Sequence, residues 1–287
     1  MQADHTAINR DTVAELQFIA PDATGGTTQR FDLREPRIPT PAPPPEIVNV
    51  ADAGQSENIG LHHSGFELRH APSAIDDFYA HEEVMRKYYA ECKALAAELT
   101  NAHTTFTFDH IIRETDAQLS AGGIDGAQYR SGPEAGGGYI NGVHMDYTDN
   151  TTWERYLALH GRTVPSAQHV YALNFWRPLS TSVDDHPLAV CDARTVRAQD
   201  LQEVNVYGYG AHNYSWHNIG IETFSVAASP RHRWYYYPGM TPNDVLIIKS
   251  FDSAGVVGRA CPHASFRHPN PVGIARRSIE LRVLCFC

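Results

Sequence analysis

The first regular pattern of apolar positions along the chain is helical. It runs from about Ser73 to Leu99, and Ser73 with Asp76 three residues later resembles a capping box. A second, less regular helical pattern covers about 101–119. The pattern therefore predicts two helices in the first half of the chain. The apolar positions of the first helix are Ile75, Phe78, Met85, Tyr88, Cys92, Leu95 and Leu99.

Beyond Gly122 the pattern changes to short β-rich runs separated by glycine, proline and aspartate. Such runs are typical of a β-sandwich or a barrel. Helices do not alternate with them, which disfavours a parallel βαβ sheet. The sequence therefore predicts an α+β fold with a jelly-roll core and an N-terminal helical layer. The predicted strands are HVYALNFW (169–176), LAVCD (188–192), VNVYGYG (204–210), IETFSVA (221–227), RWYYYP (233–238), DVLIIKSFD (244–252) and RSIELRVLCF (277–286).

The N-terminal part of the chain has a different character. A strand-like piece from Glu15 to Leu33 precedes residues 36–47, which contain six prolines. Proline fixes φ and removes a backbone donor, so this stretch is predicted to be extended. We expect residues 1–60 to form a strand and a proline-rich extension, and residues 61–287 to form a single jelly-roll domain.

Composition and charge exclude several classes of protein. The formal net charge is -10, and a nucleic-acid groove would need a clustered basic face to neutralise phosphates. The polar N-terminus lacks the apolar region of a secretory signal, and no window approaches 18 consecutive apolar residues. The five cysteines are scattered without a C-x-x-C pair, so we expect reduced thiols and no zinc site. These features predict a cytoplasmic protein that binds neither nucleic acid nor membranes.

A possible metal site begins with the segment GVHMDY, which places His144 and Asp146 two residues apart. In a strand, positions i and i+2 point to the same face, so one metal ion can receive both side chains. The pair alone is weak, because a surface histidine beside a solvated aspartate gives the same pattern. A third ligand is available in His263, which follows the apolar run DVLIIKSFD. Two histidines and one carboxylate leave three open positions on Fe(II).

An arginine with a hydroxyl two residues later follows His263. Arg276 and Ser278 stand at the start of the last predicted strand. Such a pair can hold the distal carboxylate of a cosubstrate by bidentate hydrogen bonding. Arg282 shares the same strand face by period 2, so it is an alternative.

These motifs together resemble the Fe(II)/2-oxoglutarate-dependent dioxygenases of the double-stranded β-helix fold. The chain is similar in particular to the group that contains fungal hydroxylase/desaturases, a gibberellin desaturase and the small component of the bacterial cephamycin 7α-methoxylase system. The resembling segments are FDHIIR (108–113), GGYINGVHMDYT (137–148), NFWRPL (174–179), PLAVCD (187–192), WYYYPGM (234–240), DVLIIKSFDS (244–253), PHASF (262–266) and ARRSIELR (275–282).

The resemblance implies roles for individual residues. It implies that His144, Asp146 and His263 bind Fe(II), and that Arg276 and Ser278 hold the carboxylate of 2-oxoglutarate, with O2 as the oxidant. Arg177 in NFWRPL is a further candidate for a cofactor or substrate carboxylate. The implied activity is hydroxylation, desaturation or oxidative ring formation on a small molecule, an amino-acid-derived compound or another secondary metabolite.

Several alternatives remain open at this point. His217 is a second candidate for the distal ligand, although no carboxylate clamp follows it at a useful distance. His186 and His232 are interpreted as surface groups, and His110 as a packing residue on the second predicted helix. The chain is alternatively an iron oxidase that does not use 2-oxoglutarate, or a non-catalytic subunit that partners a methyltransferase or an oxidase. The sequence does not fix the oligomeric state.

Overall fold

The computed structural model describes residues 10–20, 29–32, 43–114, 119–123, 128–131, 141–158, 161–207, 220–255, 260–271 and 275–287. Two β-sheets make up most of these residues. The strands are β1 (Thr12–Leu16), β2 (Gln29–Asp32), β3 (Glu46–Asp52), β4 (Phe66–His70), β5 (Thr104–Glu114), β6 (Leu119–Gly123), β7 (Gln128–Ser131), β8 (His144–Met145), β9 (Val170–Pro178), β10 (Leu188–Cys191), β11 (Leu201–Tyr207), β12 (Ile221–Val226), β13 (Trp234–Tyr236), β14 (Asp244–Asp252), β15 (His263–Ser265) and β16 (Arg277–Phe286).

The strands form a first sheet of nine and a second sheet of seven within the described part of the chain. Their orders are β1-β3-β13-β10-β15-β8-β12-β11-β2 and β4-β14-β9-β16-β5-β6-β7. Side chains of both sheets meet in shared clusters, such as Val190 from the first sheet with Trp176 and Ile248 from the second. The two sheets therefore pack face to face, as in a jelly roll, and the mostly β character of the fold is confirmed.

Alternation along the central strands explains why the second sheet is covered on both faces. On β16, Ile279, Leu281 and Val283 lie in the cluster that packs against helix residues such as Tyr88. The intervening positions of β16 face the first sheet, and among them Leu284 joins an inner cluster. Period 2 divides the strand in this way because successive side chains point to opposite faces.

The helical prediction is partly wrong. The helical segment begins at His81 rather than at Ser73, and comprises α1 (His81–Glu83), a π-helical turn (Val84–Tyr88) and α2 (Tyr89–Thr100). Ser73 does not cap it; its hydroxyl donates to Glu91 Oε2 at 2.6 Å, which fastens the preceding loop to α2. Asn101, with a φ of 56°, ends the segment in the left-handed conformation.

The second predicted helix is a strand as far as the structure describes it. Residues 104–114 form β5, which pairs along its length with β16. The segment TTFTFDHII is rich in β-branched and aromatic residues, which fit a pleated surface, and pairing with β16 outweighs the loose helical spacing. Residues 115–118 lie outside the described residues. One further helix, α3 (Trp153–Ala158), packs at one end of the space between the sheets.

The seven predicted strands are confirmed, with their ends displaced by a few residues. The predictions for β14 and for β16 match the observed bounds, whereas β11 begins at Leu201 and the predicted residues 208–210 are not described. No helix of the described residues is long and apolar enough to cross a membrane.

The segment before residue 60 contributes strands to the first sheet. β1 pairs with β3, and β3 pairs in parallel with β13. Leu16, Phe18 and Val50 pack on the outer face of that sheet. Of the predicted proline-rich stretch 36–47, residues 36–42 lie outside the described residues, and Glu46 and Ile47 begin β3. The domain boundary near residue 60 stays a prediction.

His110 is a buried strand residue beneath the helix, not a helical one. Its Nδ1 lies 3.0 Å from the Tyr89 hydroxyl and its Nε2 lies 2.9 Å from His81 Nδ1. Burial, together with the neighbouring His81, lowers the pKa of His110 to about 3. Burial also lowers the pKa of His81. Both imidazoles are therefore neutral in the folded protein at neutral pH.

We predict that this pair makes the protein sensitive to mild acid. Between pH 6.5 and about 3 the unfolded chain protonates His110 and the folded protein does not, so the free energy of unfolding falls as the pH falls. One such histidine lowers the free energy of unfolding by about 1.4 kcal/mol for each unit by which the pH falls inside this window, and it has no such effect above the window. Denaturant unfolding between pH 7 and 4.5 measures the slope.

The variant His110→Gln keeps a hydrogen-bonding group for Tyr89 and is expected to flatten that slope. His63→Gln, at an exposed position, is the control and should leave the slope unchanged. Equal slopes for the wild type and His110→Gln would contradict the prediction.

Candidate metal site

His144, Asp146 and His263 come together at the centre of the first sheet. β8 pairs with β15 so that His144 stands directly opposite His263, and Asp146 follows the end of β8. One ligand atom from each of the three residues lies within 4.8 Å of the other two. The imidazole rings are 4.5 Å apart between centroids, and His144 Nε2 is 3.5 Å from Asp146 Oδ1. The structure thus brings together the three residues that the sequence predicts to share one site, and their role as metal ligands stays a prediction.

Both histidines present the same nitrogen to the site. His144 Nδ1 donates to the carbonyl oxygen of Gly142 at 2.8 Å, and His263 Nδ1 donates to that of Cys261 at 3.1 Å. A carbonyl oxygen can only accept, so each Nδ1 carries the proton. Each Nε2 therefore keeps its lone pair for a metal ion, with the ring orientation fixed by the backbone two residues earlier.

The carboxylate of Asp146 is held from the second sheet. Asn174 Nδ2 donates to Oδ2 at 2.6 Å, and Arg282 Nε donates to the same oxygen at 3.4 Å. Burial opposes ionisation, but the charge of Arg282, the neighbouring histidines and the Asn174 hydrogen bond together hold the pKa of Asp146 well below its usual range. Burial and the neighbouring His263 lower the pKa of His144 to about 4. At neutral pH the site is an ionised carboxylate beside a neutral His144.

Arg276 and Ser278 lie next to this site on the same inner surface. Arg276 is 1% exposed, and its Nη1 donates to Ser265 Oγ at 2.9 Å and to the His186 carbonyl oxygen at 2.7 Å. Ser265 is two residues beyond His263 on β15, so the guanidinium extends along the strand that carries the distal histidine. Ser278 is 1% exposed and its Oγ has no hydrogen-bond partner among the described residues.

The other two predicted arginines have different surroundings. Arg282 donates to Asp146 and, through Nη2, to Glu280 Oε1 at 2.9 Å, which ties it to the metal ligand. Arg177 lies on the opposite face of the second sheet, against the helix. Its guanidinium donates to the Tyr88 hydroxyl and to the carbonyl oxygens of Pro242 and Ala71. The structure does not bring Arg177 to the site, because the alternation of β9 turns it away.

Two histidines that the sequence analysis interprets as surface groups are at least partly buried. The side chain of His232 is 1% exposed and its Nε2 bonds to Asp200, so it is not a surface group. His186 is partly buried, and its carbonyl oxygen accepts from Arg276. His217 lies outside the described residues.

Sequence reasoning missed two polar residues of the inner surface. Asn174 was not identified, although a single amide within the apolar run VYALNFW is a signal for a partnered buried group. Arg113 falls within the helix predicted over about 101–119, but it is a buried residue of β5 directly opposite Ser278 in the strand register.

Comparison with known proteins shows the family. A domain family described as oxidoreductase/YMDC permease-like matches residues 16–286. The hydroxylase/desaturase efuI of Hormonema carpetanum is 32% identical over 257 residues, covering 84% of this chain and 83% of its own. The Fe(II)/2-oxoglutarate-dependent dioxygenase nvfI of Aspergillus novofumigatus is 29% identical over 292 residues, covering 95% and 96%.

A solved structure of the iron and alpha-ketoglutarate-dependent endoperoxidase NvfI has the same fold, with a TM-score of 0.74 and 24% identity over 96% of this chain and 98% of that one. The chain belongs to the Fe(II)/2-oxoglutarate-dependent dioxygenase family. The dioxygenase resemblance drawn from its sequence is thereby confirmed.

We predict that the dioxygenase loses its metal when any of the three residues is removed. In His263→Ala and in Asp146→Asn the affinity for Fe(II) should fall by more than about 100-fold, since the loss of an outer hydrogen-bond partner alone costs about 10 to 100-fold. Anaerobic isothermal titration calorimetry with the metal-free protein measures this affinity.

The control for this prediction is His103→Ala, because His103 is exposed and on no strand of the site. Its Fe(II) affinity should equal that of the wild type. Wild-type Fe(II) affinity in His263→Ala would show that His263 is not a metal ligand and that another residue supplies the third ligand atom.

Proposed function

We propose that this enzyme uses Fe(II), 2-oxoglutarate and O2 to oxidise a small molecule, with His144, Asp146 and His263 as the iron ligands. The observation that carries the proposal is the convergence of the three ligand atoms within 4.8 Å. The Nδ1 hydrogen bonds leave the Nε2 lone pair of each histidine available for a metal ion.

The donor set fits Fe(II). Two imidazoles and one carboxylate are the ligands used by non-haem iron oxygenases, and they leave three positions open. Bound iron supplies the oxidising chemistry, in which 2-oxoglutarate and O2 are consumed together and a C–H bond of the substrate is attacked. The chain's own residues have other tasks: they orient the ligands, bind the cosubstrate carboxylate and keep water out.

Arg276 and Ser278 fit the distal carboxylate of 2-oxoglutarate. A buried guanidinium favours binding of an anion. The Ser278 hydroxyl can also donate a hydrogen bond to it, because that hydroxyl has no hydrogen-bond partner among the described residues. Arg276 is also steadied by the face of Trp176, whose ring centroid lies 5.6 Å from the guanidinium carbon. Arg282 is committed to Asp146 and Glu280, so the structure favours Arg276 over Arg282 for this role.

The interior beside the site is apolar and aromatic, which excludes water. Tyr147, Trp153 and Phe251 form one cluster with the inner face of the second sheet. Trp176, Leu246 and Ile248 form another on the side of Arg276. A dry, shaped interior protects reactive species from water. This supports an oxidation of an organic small molecule; we extend the proposal to secondary metabolites, as the sequence resemblance implies, without choosing among hydroxylation, desaturation and ring formation.

We also propose that the core is a double-stranded β-helix and that the helical segment His81–Thr100, which packs on the second sheet, is its N-terminal helical layer. Support comes from the alternation of the chain between sheets: β13 and β15 belong to the first sheet, β14 and β16 to the second. The cytoplasmic location is part of the same proposal and rests on the sequence alone.

The non-catalytic alternative is not favoured, since the relatives are hydroxylases, desaturases and dioxygenases and the ligand atoms are in place. An iron oxidase without 2-oxoglutarate would have no use for Arg276 and Ser278, and this difference is testable.

We predict that Arg276→Gln raises the KM for 2-oxoglutarate by at least about 30-fold, since truncating one partner of a buried charge pair costs roughly 2 kcal/mol or more. Ser278→Ala should raise it less, because it removes one hydrogen bond to a charged group. Fe(II) affinity should not change in either variant. Succinate release measured against 2-oxoglutarate concentration gives the KM values.

The control is Arg282→Gln, which should weaken Fe(II) binding. Once this variant is saturated with metal, its affinity for 2-oxoglutarate should stay within a few-fold of the wild-type value. Reconstitution of the wild type with Fe(II) and 2-oxoglutarate without O2 should produce the visible charge-transfer band of the chelate. Absence of that band in iron-loaded protein, or a silent Arg276→Gln, would favour an oxidase that needs no 2-oxoglutarate.

A further inference from the structure

The two oxygens of Asp146 have different surroundings. Oδ1 faces His144 Nε2 at 3.5 Å and so points to the metal position. Oδ2 faces away from it and accepts from Asn174 Nδ2 at 2.6 Å and from Arg282 Nε at 3.4 Å. Both donors come from the second sheet, whereas the carboxylate comes from the first. The second sheet therefore holds one oxygen and leaves the other free to ligate.

Asn174 occupies a position where packing alone favours an apolar side chain. It is 0% exposed, in the middle of β9, between Ile248 of β14 and Arg282 of β16 in the strand register. Its inward neighbours along the strand are Ala172 and Trp176. Its Oδ1 is buried without a hydrogen-bond partner among the described residues. An unpaired buried oxygen is destabilising, so the fold alone does not account for an amide at this point.

We propose that Asn174 is a positioning residue that keeps Asp146 a single-oxygen ligand of the iron. This rests on the proposed function of the site. A carboxylate can bind a metal through one oxygen or through both, and binding through both would occupy a position needed by the cosubstrate or by O2. The short hydrogen bond from Asn174 engages Oδ2 and holds Oδ1 toward the metal.

Arg282 has a different part in this arrangement. Its guanidinium is shared between Asp146 Oδ2 and Glu280 Oε1, so it supplies positive charge while its own position is fixed by Glu280. Its contact with Oδ2 is longer than that of Asn174. Arg282 places its charge beside Oδ2, and the Asn174 amide sets the direction of the carboxylate.

The test replaces Asn174 by leucine, which has a similar volume and no donor, and uses Co(II) as the metal probe in metal-free protein. We expect Asn174→Leu to bind Co(II) about 10 to 100-fold more weakly than the wild type, the usual effect of losing an outer partner of a ligand. The visible Co(II) spectrum should also change, because its bands report the coordination number. Titration calorimetry and absorbance give the two readouts.

The thermal stability of the metal-free protein distinguishes a positioning role of Asn174 from a purely structural one. Leucine removes the unpaired oxygen and also a donor to Asp146, so the metal-free Asn174→Leu protein should fold with a Tm close to that of the metal-free wild type, while the rise in Tm on adding Co(II) should shrink. Asn174→Ala is the second variant if the leucine protein does not fold, with the same expected change in spectrum.

Ser250→Ala is the matched control. Ser250 is 0% exposed on β14, the strand beside β9, and its hydroxyl also has no partner among the described residues. This variant should keep the wild-type Co(II) affinity and spectrum. Wild-type affinity and spectrum in Asn174→Leu would overturn the positioning role alone. Failure of the wild type itself to bind Co(II) would instead overturn the proposed metal site.

Discussion

The pairing of β8 with β15 is the constraint on which the site depends. β8 has two residues, and its place between β15 and β12 sets His144 against His263 on the inner face of the first sheet. Because side chains of directly paired residues share a face, a slip of one residue would turn one histidine toward the outer layer. Leu16, Phe18 and Val50 already fill the outer face. Their packing in one cluster with Ala264 and Val143 fixes this register. Hydrophobic packing outside the sheet thus positions the polar groups inside it.

The charged side chains beside the proposed iron site form a connected network. Asp146 accepts from Arg282, and Arg282 is held in turn by Glu280. Such buried charges are tolerated only where each has a partner. The apolar clusters around Trp153 on one side and Trp176 on the other confine this network to the middle of the molecule. The proposed iron site lies where the two sheets exchange hydrogen bonds between side chains.

The strands were predictable because their signals are local, whereas the candidate ligand set also needed His263, far beyond His144 in the chain. Runs such as DVLIIKSFD and RSIELRVLCF carry their own β character, and their observed bounds match the predicted ones. The strand at 104–114 was not predicted, because Phe106, His110 and Ile111 satisfy a loose helical spacing. The strand that pairs with this segment, β16, lies far along the chain. The same error hid Arg113, whose position opposite Ser278 follows only from that pairing.

The sequence alone determined which residues are candidates for an iron and 2-oxoglutarate site: two histidines, a carboxylate, and an arginine with a hydroxyl at strand spacing. It also determined a β-rich core, because alternation and turn residues act over short distances. Only the tertiary structure distinguishes the surroundings of the three candidate arginines: Arg177 on β9 lies against Tyr88, Arg276 just before β16 lies against Ser265, and Arg282 on β16 lies against Asp146. It also revealed Asn174, because a contact between sheets joins residues that no periodicity along the chain relates. The physical reason is common to both: strand identity is a local property, whereas the neighbours of a side chain are set by how the sheets stack.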